Sequence, residues 1–70
     1  MIEVFKTNVQ NKVQAKHILI SLNNVFADAR INFDLLDCDK ILRVEGIDES
    51  SIPEVIWGVN IMGFHCEILN

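Results

Sequence analysis

Thr7-Asn8-Val9-Gln10-Asn11-Lys12-Val13-Gln14-Ala15 joins two kinds of pattern. Before it, Ile2-Glu3-Val4-Phe5-Lys6-Thr7 alternates in the manner of a strand and is rich in β-branched and aromatic residues. After it, Ala15, Ile18, Leu19, Leu22 and Val25 fall on one helical stripe. The stretch therefore predicts a strand over 2–7, a turn over 8–10 and a helix from about Asn11 to Val25. Asn11 is the expected N-cap, because its side-chain oxygen can accept one of the free amide hydrogens of the first turn. Asn23-Asn24 lies near the far end, where asparagine tolerates the left-handed conformation that stops a helix.

Outward from this junction the periods stay legible. Residues 29–36 alternate, with Ile31, Phe33 and Leu35 on one face. Asp37-Cys38-Asp39 reads as a tight turn. Residues 40–45 form a third strand, with Leu42 and Val44 together, and so short a polar turn predicts an antiparallel hairpin. Gly46 ends that strand. Asp48, Ser50 and Ser51 are N-cap candidates, and Pro53 suits a first helical turn because its missing N–H costs nothing there. The second helix runs from about Ile52 to Met62 with Ile52, Val55, Ile56, Val59 and Met62 as its buried stripe. Gly63 is the expected residue just past its end. Phe64 to Leu69 form a last strand, with Phe64, Cys66 and Ile68 on one face and His65 and Glu67 on the other.

The order is β-α-β-β-α-β, without linker or repeat. It predicts one α+β domain over residues 1–70 with the ferredoxin-like arrangement. That fold has a four-stranded antiparallel sheet with both helices on one face. The loop after strand one, the hairpin and the turn before strand four then share one end of the sheet.

Composition narrows the function classes. Seventy residues allow a single domain. The net charge of −4 argues against nucleic acid, which calls for a basic patch. Half of the residues are apolar and mean hydropathy is +0.26, so some apolar side chains must stay exposed or meet a partner. No apolar run approaches the ~20 residues of a membrane span, so no membrane insertion is expected. Residues 1–20 lack the marks of a signal peptide, which predicts a cytoplasmic location. In that compartment Cys38 and Cys66 are expected as free thiols.

The chain resembles the heavy-metal-associated domains, small copper-chaperone-like modules. The resemblance covers nearly all 70 residues. It rests on element order and on Lys6-Thr7-Asn8-Val9 leading into the first helix. Asp39-Lys40-Ile41-Leu42-Arg43-Val44-Glu45-Gly46 and Gly63-Phe64-His65-Cys66-Glu67-Ile68-Leu69 complete it. Members of the family typically bind Cu(I) or a similar soft metal through Cys-x-x-Cys at the first helix, where thiolates suit the ion and the helix N-terminus favours their ionisation. Counted from Val9, the two cysteine positions correspond to Asn11 and Gln14. Their amide oxygens are neutral and hard, and Lys12 between them adds positive charge. The resemblance thus implies a degenerate site, and no metal cofactor is expected. Cys38, His65 and Cys66 are the alternative ligands for Cu(I) or Zn(II), a reading weakened because the hairpin and last strand flank opposite sides of strand one.

No nucleophile–base pair and no glycine-rich phosphate loop is present, so an enzyme is not expected. His17 reads as a surface histidine, and Asp37 and Asp39 as turn residues that bond the local backbone. Trp57 and Ile61, spaced i, i+4, lie off the buried stripe of the second helix and form a candidate partner-binding patch. Val13 and Ile20 of the first helix are similarly spare. Ile2, Val4 and Ile41 are expected on the open sheet face. The function expected from the sequence is a protein-interaction module or a homodimer, and the alternative is metal binding through non-standard ligands.

Overall fold

The computed structural model describes residues 1–69. The elements are β1 (Ile2–Thr7), α1 (Lys12–Val25), β2 (Arg30–Asp34), β3 (Ile41–Glu45), α2 (Ile52–Asn60) and β4 (Cys66–Ile68). A single 3-10 turn, Glu49–Ser51, leads into α2. The four strands form one antiparallel sheet in the order β2-β3-β1-β4. This is the ferredoxin-like α+β architecture. Among the described residues, no helix is long and apolar enough to cross a membrane.

Register decides which side chains meet the helices. Phe5 lies opposite Leu42 on one side and Ile68 on the other, and Phe33 continues the row on β2. Directly opposed residues share a face. Phe5, Leu42, Val44 and Cys66 are buried there, against Ala15, Ile18 and Leu22 of α1 and Val55 and Val59 of α2. The two helices meet closely at Gly58, where a β-carbon would lie 3.3 Å from Leu22 Cδ2. The other sheet face carries Ile2, exposed, and Val4 and Ile41, half-buried.

Helix ends follow local chemistry. Asn11 caps α1 as expected, accepting from the Gln14 N–H. The helix ends at Val25 as expected, just past Asn23 and Asn24. Its cap is Phe26, whose N–H bonds to the Leu22 carbonyl at 2.8 Å. The α2 terminus closes through a pair of bonds, Gly63 N–H to Asn60 O and Phe64 N–H to Val59 O, with Gly63 at φ +93°. This double closure needs the left-handed residue that glycine supplies. It also ends α2 at Asn60, two residues before Met62, and leaves Ile56 and Met62 half-buried beside the core.

Three further expectations are corrected. Val25 was assigned to the buried stripe but is 63% exposed, because it sits in the last turn of α1 on the flank that faces α2. β2 ends at Asp34, since its carboxylate takes the Leu36 N–H and turns the chain, leaving Leu36 wholly exposed. β4 spans only Cys66–Ile68, and Ile68 at the sheet edge is partly exposed although it shares the face of Cys66.

Candidate functional site

The loop after β1, the β2–β3 turn and the approach to β4 do meet at one end of the sheet. Thr7 holds them together. Its N–H donates to Asp39 O at 3.1 Å, its hydroxyl donates to Lys40 O, and the same hydroxyl accepts the Val9 N–H at 3.2 Å. Val9 is fully buried and anchors the loop in the core. Asn8 Oδ1 accepts the His65 N–H at 2.8 Å, which ties the same loop to β4. Lys6 Nζ lies 3.8 Å from Asp39 Oδ1.

Asn11 and Gln14 sit together at the start of α1, but their acceptor oxygens are in use. Asn11 Oδ1 takes the Gln14 N–H, and Gln14 Oε1 takes the Gln10 N–H, both at 2.9 Å. This reciprocal arrangement is a variant of the capping box. Lys12 beside them is exposed. Each oxygen already accepts one bond within the helix start, and a neutral, hard amide oxygen beside the Lys12 charge is a poor partner for a soft cation.

The alternative ligands fall into different surroundings. Cys38 is exposed and lies with Asp37 and Asp39 in a group whose donor atoms are within 4.8 Å of one another. Both carboxylates already have partners: Asp37 Oδ1 accepts the Asp39 N–H at 2.8 Å, and Asp39 faces Lys6. His65 and Cys66 do not join that group. His65 Nε2 lies 3.5 Å from Glu67 Oε2. Cys66 is buried, and its thiol is pushed up to about 12, first by desolvation and then by the Glu67 charge. At neutral pH it is a protonated, apolar filler of the core.

The helix layer presents a different surface. Trp57 is 65% and Ile61 60% exposed. They line a cleft of about 250 Å3 between α1 and α2, together with Val25 and Phe26, with Leu22 and Gly58 among its walls. Glu54 and Ser21 are its polar members. Val13 and Ile20 are also exposed on α1. Sequence periodicity found Trp57 and Ile61 because both lie off the core stripe. It missed Val25, whose spacing from Leu22 and Ile18 is that of a core residue.

A second cleft of about 560 Å3 runs between α1 and the free edge of β2. Leu19, Phe33, Leu35 and Leu36 make it largely apolar, with Lys12 and Lys16 among its lining residues. Nothing in the periodicity of either element announces it, because it forms from the flanks of two elements distant in sequence.

Comparison with protein-family models, with characterised proteins and with solved structures returns no match to this chain.

Proposed function

We propose that this domain is a non-enzymatic protein-interaction module, a metal-free counterpart of the heavy-metal-associated domains that engages its partner through the helix layer. The observation that carries this reading is the exposure of Trp57, Ile61 and Val25 around one apolar cleft. Tryptophan and its apolar neighbours are costly to leave in water, and a tryptophan that fits a complementary pocket supplies much of the energy of an interface. The cleft is lined mainly by apolar side chains and suits an apolar side chain projected by another protein. At the opposite end of the argument, the loop where a related domain would hold a metal spends its acceptor oxygens on capping α1.

Trp57 is the sole tryptophan of the chain, so its fluorescence reports directly on this surface. Partner capture by the wild-type domain is compared with capture by Trp57→Ala and Ile61→Ser, each checked by circular dichroism. Proteins retained by the wild type are expected to be lost from both variants, and their addition to the wild type is expected to shift Trp57 emission to the blue. Equal capture by all three folded proteins, with unshifted emission, would refute the reading.

A further inference from the structure

We propose that two copies of this chain associate through β2, edge to edge and antiparallel about Asn32, to make one continuous eight-stranded sheet. The inference concerns a different surface from the helix-layer patch and does not rest on it.

β2 is a terminal strand of the sheet, paired only with β3. Its register is unbroken over five residues, and it contains neither proline nor bulge. Natural sheets protect their edges with such devices, so an edge without them is a template for another strand. β4, the other edge, is only three residues long and carries Glu67 at its centre. Antiparallel pairing of β4 with itself would set two Glu67 carboxylates against each other, which disfavours that edge.

β2 reads Arg30-Ile31-Asn32-Phe33-Asp34. A two-fold axis through Asn32 places Arg30 of each copy opposite Asp34 of the other, twice over. The same axis sets Ile31 against Phe33, also twice, and the neutral Asn32 against itself. Arg30, Asn32 and Asp34 are exposed, while Ile31 and Phe33 are half-buried on the helix side. Among the described residues, neither Arg30 nor Asp34 takes part in an ion pair, although Glu45 lies across from Arg30 on β3. Isologous interfaces require a surface complementary to itself, and this strand has one in both charge and apolar pattern. The apolar cleft beside this edge, with Leu19 and the fully exposed Leu36, would be covered by the second copy.

The test is a charge swap read by sedimentation velocity on the full chain. The wild type is expected at twice its 8.0 kDa mass, with a concentration-dependent return to one copy. Arg30→Glu sets two acidic pairs across the axis, and Asp34→Arg sets two basic pairs. Each alone is expected to weaken self-association about ten-fold or more. An equimolar mixture of the two variants regains complementary pairs and is expected to sediment as a heterodimer. Asn32→Lys, which places two ammonium groups on the axis beside the Arg43 that bonds Asn32 on each copy, stands in if either variant fails to fold and is expected to sediment as a single copy. Trp57→Ala should leave the wild-type mass unchanged. A wild type that stays a single copy up to millimolar protein overturns the proposal, leaving the edge to a strand of another protein. So does a mixture that stays monomeric, or a dimer lost on Trp57→Ala.

Discussion

Asn11 and Gln14 provide the sharpest test of what the β1–α1 junction does. If their oxygens serve as caps, Asn11→Ala should cost about 1 kcal/mol, the usual loss on removing a capping side chain. Asn11→Asp should cost nothing, since a carboxylate accepts the same N–H and favours the positive end of the helix. Gln14→Ala loses one solvent-exposed hydrogen bond to the Gln10 N–H and should cost roughly 0.5 kcal/mol. The double variant Asn11→Cys, Gln14→Cys removes both caps, so without metal it should be about 1.5 kcal/mol less stable than the wild type. In a domain of this size that lowers Tm by roughly 6–12 °C. The new thiols stand at a helix start with the Cys-x-x-Cys spacing, so Zn(II) should raise Tm again, by about 2.7 kcal/mol of stabilisation when metal is at 100 times Kd. The assay is thermal unfolding by circular dichroism with and without Zn(II), in a Cys38→Ser background that removes the thiol beside Asp37 and Asp39. Equal stability of Asn11→Ala and the wild type would refute the capping argument. Zn(II) stabilising the Asn11, Gln14 protein as much as the double cysteine variant would refute the claim that these amides have no metal chemistry.

Three more outcomes follow from Thr7 and the two cysteines. Thr7→Val keeps the shape of the side chain but strands the buried Val9 N–H and the Lys40 carbonyl, so it should cost about 2–4 kcal/mol in chemical denaturation, whereas Thr7→Ser should cost about 1. Cys38 should react at once with a thiol reagent and Cys66 only on unfolding. Because the folded Cys66 thiol titrates near 12 and the unfolded one near 9.0, the native state keeps a proton that the unfolded state releases. Stability is therefore full below pH 9.0 and falls as the pH rises towards 12, a slope that Cys66→Ala should reduce.

The fold was legible because periodicity survives in every element and the junction at Thr7–Ala15 marks the change of period. What escaped were features set by single hydrogen bonds. Asp34 closes β2 early by taking the Leu36 N–H, and no pattern of hydrophobicity records that. α1 does end at Val25, just past Asn23 and Asn24, where the periodicity puts it, but its cap is the N–H of Phe26, which no pattern marks. Gln14 could have been read as a cap partner from its spacing to Asn11. The resemblance drew attention to both positions as a lost metal site instead, while the element order alone placed them at the end where three loops meet.

Strand length also decides whether β2 can be read as self-complementary. With bounds of 29–36, the centre falls between Asn32 and Phe33, and a two-fold axis there pairs unlike faces of the strand with no matching charges. With bounds of 30–34, the centre is Asn32 and the charges at the two ends become partners. The one hydrogen bond that ends β2 at Asp34 thus determines what the edge can recognise. At the sheet end near Asn11, the oxygens of Asn8, Asn11 and Gln14 and the Thr7 hydroxyl are bonded within the chain. The β2 edge is unpaired on one side, and Trp57 and Ile61 stand exposed at their cleft. The proposed edge and helix-layer contacts therefore draw on unpaired strand groups and exposed apolar surface, which the junction that organises the fold does not offer.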